Sequence, residues 1–284
     1  MPSLADSLRK TQQIFQDHAL DNADLDARLL VEWATNTTRK DLLLNPDMEV
    51  LEDAQQRLQS AIKKRLENMP VYRIIGVREF YGIPFLLSPE TLEPRSDTET
   101  LVDLVLPVLE NIVAKNGQAS FLDMGTGTGA IAISALVNVK QTHATAVDIS
   151  SGALETAQRN AENAGVASRF HACLSNWFER VEGCFDLIVS NPPYIPDDEV
   201  PLLAKEVKDY DPYRALAGGK DGLYFYDKLA KEAMHFLNPL GMIAVEIGQG
   251  QENDVIGLFE KAGFHCMESR KDLSAITRAL LFSR

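Results

Sequence analysis

Along residues 1 to about 70, apolar positions recur at three- and four-residue spacing. The segments "SLADSLRKTQQIFQDH", "ADLDARLLVEWAT" and "VLEDAQQRLQSAIKKRLEN" each carry such a stripe, the periodicity of an amphipathic helix. Asn22, Thr37 or Thr38, and Asn45-Pro46 mark breaks or caps between them. One helix is too narrow to bury its own stripe, so these segments are expected to pack as a small bundle, with Trp33 in its core. The pattern changes at Met69-Pro70. "REFYGIPFLLS" places strand-like residues on either side of Gly82 and Pro84, as a hairpin does. In "PETLEPRSDTETLVDLVLPVLENIV", Asp97 or Ser96 is placed to cap a helix that begins around Thr98, and Pro107 is expected to kink or interrupt it.

From about residue 119 the pattern alternates. "SFLDMG", "THATAVDIS", "CFDLIVS" and "GMIAVEIG" are short strand-like runs with helical stretches between them, and "GFHCMESR" and "RALLFS" read as late strands that close the sheet. Strands separated by helices of this length predict a parallel α/β sheet with right-handed crossovers. The expected division is a helical domain over 1–70, a β-hairpin linker over 71–96 and a sheet domain over 97–284.

Composition narrows the function classes. With 45% hydrophobic and 24% charged residues, the 284-residue chain has a globular profile. No uninterrupted apolar run reaches transmembrane length, and "MPSLADSLRKTQQIF" lacks the apolar core of a secretory signal. Cys173, Cys184 and Cys266 are far apart and odd in number, which favours reduced thiols in a cytoplasmic protein over a disulfide frame or zinc site. The five histidines are scattered, and no metal site is expected. A formal charge of −13 opposes non-specific nucleic-acid binding. Neither a nucleic acid nor a membrane is expected as partner, and a monomer is expected.

Chemistry enters at "FLDMGTGTGAIAIS". A tight strand-to-helix turn with close ligand approach needs residues without Cβ, here Gly125, Gly127 and Gly129. Asp148 ends the next strand, where a carboxylate can accept both hydroxyls of a ribose. The loop also fits a loose dinucleotide pattern, which keeps a nicotinamide dehydrogenase in view. Asp123, two residues before Gly125, favours a different ligand. It could face the ammonium of an amino-acid tail such as that of S-adenosylmethionine, and would sit badly against a pyrophosphate.

The second motif is "FDLIVSNPPYIPDDEV", in which a strand runs into Asn191-Pro192-Pro193-Tyr194. The prolines stiffen the turn and remove N–H donors. The Asn191 side-chain oxygen and the backbone carbonyls remain as acceptors, suited to a planar –NH2 group, and Tyr194 adds an aromatic face. Such a turn lies at the carboxyl end of its strand, where ligands of open α/β sheets gather. Methyl transfer from a sulfonium needs this arrangement: orientation is the main catalytic contribution, worth roughly 7–11 kcal/mol for well-aligned reactants. No histidine lies near either motif, which fits methyl transfer better than acid–base hydrolysis.

"NPPY" after "DLIVS", with "LDMGTGTGAIAIS" upstream, resembles the class I S-adenosylmethionine-dependent amino-methyltransferases. "VYRIIGVREFYGIPFLLSPETLEPRSDTE", "EVKDYDPYRALAGGKDGLYFYDKL" and "DLSAITRALLF" are similar to segments of the peptide chain release factor glutamine N5-methyltransferase family. The resemblance covers nearly everything from residue 70 onward and implies a class I, Rossmann-like methyltransferase sheet domain after the helical bundle. It implies S-adenosylmethionine as cofactor, left as S-adenosylhomocysteine, and as substrate the glutamine of the Gly-Gly-Gln motif in peptide chain release factors. By the same resemblance Gly125, Thr126, Gly127, Thr128 and Gly129 line the methionine and ribose side, Asp148 binds the ribose, and Asn176 and Trp177 lie near the adenine. Asn191 contacts cofactor and substrate, Asn191 to Tyr194 hold the glutamine amide, and the helical domain grips the release factor.

The chain departs from the family pattern at Glu93 and Ser96, where Ile and Pro are usual, at Asn176, where an acid is common, and at Ile276-Thr277 near the C-terminus. Alternative readings are a glutamine methyltransferase acting on a ribosomal protein, a DNA adenine N6-methyltransferase, and a binding module without turnover. The "PRSDTE" linker disfavours the first, and the acidic charge with no Lys/Arg-rich segment disfavours the second. Arg95 and Glu99 are read equally as cleft or surface residues, and Glu246 as a buried cleft carboxylate or a helix cap.

Overall fold

In the computed structural model, which describes all residues from Met1 to Arg284, the N-terminal unit, Met1–Gly76, has five helices, α1 (Leu4–Asp17), α2 (Ala23–Thr35), α3 (Arg39–Leu44), α4 (Glu52–Leu66) and α5 (Val71–Ile75). Of these, α1, α2 and α4 are the three periodic segments, and α5 falls where the linker was expected to begin. Ser3 caps α1 by accepting from the Asp6 N–H. Thr38 and Asp41 form a reciprocal capping box on α3, which satisfies orphan donors at its start. Leu4, Phe15, Leu30, Val31 and Leu58 form the core, with Trp33 packed against it. Within it, Arg65 Nε donates to Asp26 Oδ2 at 2.6 Å, both side chains being buried.

The second unit, Val77–Arg284, begins with a hairpin, β1 (Val77–Phe80) and β2 (Ile83–Leu86). Tyr81 and Gly82 both have positive φ, 53° and 72°, as a two-residue turn of matching twist requires. Phe80 and Phe85 are buried in the same core as the sheet, and Asn160 ties the Leu86 backbone by accepting from its N–H and donating to its carbonyl. The hairpin thus packs with the sheet.

Next comes α6 (Glu99–Asn116), preceded by a 3-10 turn over Ser96–Thr98. Pro107 does not interrupt it. Pro107 is exposed, and the Asp103 carbonyl, which loses its helical donor there, accepts from Arg270 instead. Buried Leu101, Val102, Leu104, Val105 and Leu109 hold the helix on both sides of the proline.

The sheet comprises β3 (Ala119–Met124), β4 (Thr142–Asp148), β5 (Phe170–Leu174), β6 (Phe185–Ser190), β7 (Leu237–Glu246), β8 (His265–Lys271) and β9 (Thr277–Ser283), in the order β5-β4-β3-β6-β7-β9-β8. Strands β5 to β7 are parallel, as the alternation predicts. Strand β9 runs antiparallel to β7 and β8. The cause is local: a short turn joins β8 to β9 in place of a crossover helix, and such a turn imposes antiparallel pairing. Asp272 closes it by accepting from the Ser274 and Ile276 N–H groups.

Helices α7 (Ala130–Asn138), α8 (Ser151–Asn163), α9 (Lys205–Lys208), α10 (Tyr224–Glu232) and α11 (Glu252–Lys261) complete the unit. Successive strand residues feed opposite cores: Phe121, Leu187 and Val189 pack with α6 and α7, whereas Leu122, Met124 and Ile188 pack with α10 and α11. No helix is long and apolar enough to cross a membrane.

Candidate active site

After β3 the chain passes to β4 on one side, and later to β6 on the other. This divergence opens a crevice at the strands' carboxyl ends. Ser190 closes its floor by donating from Oγ to the Met124 carbonyl at 2.8 Å. The resulting cavity, about 300 Å³, is lined from the loops after β3, β4, β5 and β6.

The glycine loop forms one wall. The Gly125 and Thr126 N–H groups both donate to the Val147 carbonyl at 2.9 Å, and Gly125, Thr126, Gly127 and Thr128 line the cavity. Gly127 has φ +56° with open space where a Cβ would stand, so backbone conformation requires the glycine. Gly129 differs. It is absent from the lining, and a Cβ there would stand 2.7 Å from Ile133 Cδ1 and 3.3 Å from Ala157 Cβ. Its φ of +81° also calls for glycine, and to that is added the close packing of α7 and α8.

Two acids flank the loop. Asp148 lines the cavity and accepts from the Gly127 N–H on Oδ2 and the Ser150 N–H on Oδ1, each at 2.9 Å. Burial raises its pKa, while those N–H groups hold it down. Asp123 is fully buried behind the loop. Its Oδ2 accepts from Thr126 Oγ1 at 2.7 Å and the Ala132 N–H at 3.2 Å, and Oδ1 has no partner. Burial pushes its pKa to about 6, against those two hydrogen bonds.

Trp177 lines the cavity, held at φ +56°, and stacks on Phe225 with centroids 5.0 Å apart. Phe225 also lines the cavity. Nothing in the local pattern of α10 distinguishes it from a helix-surface aromatic. Asn176 lines the cavity too, with Nδ2 donating to Glu179 at 2.5 Å, so its oxygen remains an available acceptor.

The Asn-Pro-Pro-Tyr turn forms the opposite wall through Asn191 and Pro193, whereas Pro192 and Tyr194 do not line the cavity. The Asn191 amide donates from Nδ2 to Thr98 Oγ1 at 3.1 Å. What holds the turn still lies beyond it in sequence. The Ile195 N–H donates to the Leu216 carbonyl at 3.1 Å, the Gly218 N–H donates to the Ile195 carbonyl at 2.7 Å, and Gln251 Nε2 donates to the Tyr194 carbonyl at 3.0 Å. Gly218 and Gly222 lie against the turn so closely that a Cβ would stand 2.7 Å from the Pro193 oxygen and 2.2 Å from the Tyr194 oxygen. Burial first, then the neighbouring Glu246 carboxyl, pushes the Tyr194 phenol to about 12.

The rim explains one of the departures. Glu93 is buried and paired with Arg78, so an ion pair replaces an apolar contact. Arg95 bonds Asp211 at 2.6 Å, and Arg214 bonds Glu90 at 3.2 Å. Both pairs tie the segment after β2 to the segment before α10. Glu99 accepts from the Tyr81 N–H at 2.8 Å and serves the hairpin.

The residues fit S-adenosylmethionine. Asp148 suits ribose hydroxyls and the stacked Trp177 and Phe225 offer apolar surface to a base, while Asp123 lies behind the loop, outside the cavity lining, with one buried oxygen unpaired that suits an ammonium. Asp148 would serve the ribose of either ligand, whereas the Asp123 carboxylate beside the loop would oppose a pyrophosphate, which disfavours the dinucleotide reading.

Comparison with known proteins gives the same assignment. Residues 6–76 match the PrmC N-terminal domain, and residues 99–206 match the methyltransferase small domain. The chain is 46% identical over 260 residues to the release factor glutamine methyltransferase of Agrobacterium fabrum, a match covering 92% of this chain and 90% of that one. It is 42% identical over 259 residues to the release factor glutamine methyltransferase of Rhodospirillum rubrum, covering 91% and 78%. A solved methyltransferase from Pyrococcus furiosus shares the fold, with a TM-score of 0.52 at 21% identity over 82% of this chain and 98% of that one. The chain therefore belongs to the release factor glutamine methyltransferase family, built on a class I methyltransferase sheet.

Proposed function

We propose that this chain methylates the side-chain amide nitrogen, N5, of the glutamine in the Gly-Gly-Gln motif of class-1 peptide chain release factors. The observation that carries the reading is the Asn191 amide. Its Nδ2 is committed to Thr98, which leaves Oδ1 as an acceptor on a residue that lines the cavity.

S-adenosylmethionine supplies an electrophilic methyl group on a sulfonium. The glycine loop, Asp148, Asp123, Asn176 and Trp177 would hold it. The chain's remaining work is on the acceptor. A glutamine amide nitrogen is a poor nucleophile because its lone pair is delocalised into the carbonyl. Asn191 Oδ1 and a backbone carbonyl of Pro192 or Pro193 would accept its two hydrogens, fix the amide plane and aim the nitrogen at the methyl. The same acceptors favour loss of the amide proton as the new N–C bond forms. Tyr194 would cover the amide face. The helical unit would grip the release factor, in the cytoplasm where translation takes place.

The test is transfer of tritiated methyl from S-adenosylmethionine to a purified release factor, to its variant with Ala for the motif glutamine, and to duplex DNA. Label on the intact release factor alone is the expected result. Label on the variant moves the acceptor to another side chain, label on DNA moves the reading to adenine, and no label points to a ribosomal protein or a silent binding module.

A further inference from the structure

Glu246 is the buried carboxylate for which the site has given no role. It ends β7, and the register that pairs Ser190 with Val245 sets it beside Asn191 at the edge of the sheet. Its backbone is held without help from its side chain: it pairs with Ala279 on β9, and its carbonyl accepts from the Tyr226 hydroxyl at 2.8 Å. The carboxyl is 2% exposed, and Oε2 has no hydrogen-bond partner. A buried carboxylate with an unpaired oxygen is costly to the fold, so a need other than stability keeps it there.

The groups around it come from four elements. They are Asp97 and Thr98 ahead of α6, Asn191 and Tyr194 after β6, Arg278 on β9 and Tyr226 on α10. Thr98 and Asn191 stand close enough to favour its charged form, as does Arg278. Arg278 is shared, since it pairs with Asp97 and Asp272, each at 3.0 Å.

A hydroxyl has one proton to give. If Thr98 gives it to the Glu246 carboxylate, its oxygen must accept from Asn191. Asn191 then has to present Nδ2 to Thr98, and Oδ1 is left for the cavity. The direction of the chain Asn191 to Thr98 to Glu246 is set by its charged end. An amide's two ends are nearly isosteric, so nothing but such a network decides which one faces a substrate.

We infer that Glu246 is a positioning residue which, through Thr98, locks the Asn191 amide with its oxygen turned to the substrate. The inference rests on the methyl-acceptor role proposed for Asn191. Protonation of Glu246 would let the chain reverse, so that Thr98 donates to Asn191 Oδ1 and an –NH2 faces the substrate's –NH2.

Burial, the dominant influence, brings the Glu246 pKa to about 7. In the wild type, the Asn191 side-chain amide resonances, assigned by their loss in Asn191→Ala, should titrate near that pH without cofactor or substrate. The single-turnover rate on a release factor should rise through the same range. Glu246→Gln should abolish both titrations and lower the rate at pH 8 about tenfold, with S-adenosylmethionine affinity by calorimetry within about twofold. Asn191 resonances that stay fixed near pH 7 would overturn the inference, as would a Glu246→Gln enzyme that keeps the wild-type rate and acid limb. If the wild type fails to label the release factor while the resonances titrate as expected, the substrate assignment falls and the positioning role stands.

Discussion

Asn191 and Thr98 are 93 residues apart in sequence, yet the Asn191 Nδ2 donates to the Thr98 Oγ1 at 3.1 Å. That bond joins the turn after β6 to the start of α6. It also decides which end of the Asn191 amide remains for a ligand. Thr98→Val should lower turnover about five- to tenfold, the equivalent of one hydrogen bond of about 1 kcal/mol. Thr98→Ser should stay near wild type, and Asn191→Ala should nearly abolish turnover while leaving cofactor affinity partly intact. Single-turnover rates beside calorimetry test the set, and a normal rate in Asn191→Ala would sink the mechanism.

Asp148 sits where the glycine loop and β4 meet, with both oxygens accepting backbone N–H groups. Those bonds keep it oriented towards the cavity. Asp148→Ala should weaken S-adenosylmethionine binding by about 2 kcal/mol, the scale of hydrogen bonds to a charged group. The loss should appear in affinity before it appears in the rate at saturating cofactor. Unchanged affinity by calorimetry refutes the ribose assignment.

Asp123 carries a stability cost in its buried carboxylate. Its pKa is raised by burial to about 6, so the native state binds the proton more tightly than the unfolded chain. The contribution is therefore favourable below the unfolded pKa and is lost as pH rises through about 6. Asp123→Asn removes that loss. Its unfolding free energy without cofactor should exceed wild type by on the order of 2 kcal/mol at pH 8, and by little at pH 4. Cofactor binding should weaken in the same variant. Denaturant titrations at the two pH values decide it, and an equal change at both excludes the buried charge as the cause.

Gly222 has φ +73°, and a Cβ on it would stand 2.2 Å from the Tyr194 carbonyl oxygen. A backbone atom cannot swing aside as a flexible side chain does. Gly222→Ala should destabilise the protein by about 2 kcal/mol or more and displace the Asn-Pro-Pro-Tyr turn. Turnover should then fall further than the loss of folded protein accounts for. Thermal unfolding and the rate per folded molecule separate the two effects.

The legible part of this protein was carried by short-range pattern. Three-and-four spacing marked α1, α2 and α4, and alternation of strand and helix marked β3, β4, β6 and β7, whereas the short α3, α5 and β5 carried no pattern of their own. The glycines and the Asn-Pro-Pro-Tyr turn named two walls of the cavity, because their chemistry lies in consecutive residues. The proline rule also led to an expected kink or interruption at Pro107, and helix α6 in fact runs through it. Local sequence had no means of weighing the buried face on either side of the proline, or the Arg270 donor that takes over the Asp103 carbonyl.

Only the tertiary structure assigned partners across long separations. It gave Glu93 its ion pair with Arg78, stacked Phe225 on Trp177, and moved Gly129 from the lining to a helix contact. It set Gly218 and Gly222 against the turn, and Glu246 beside Asn191. The amino-acid sequence by itself determined which groups could bind and orient a methyl donor and an amide. Strand order and register decided which of them meet, because side chains become neighbours through packing of the sheet, and local pattern does not encode that distance.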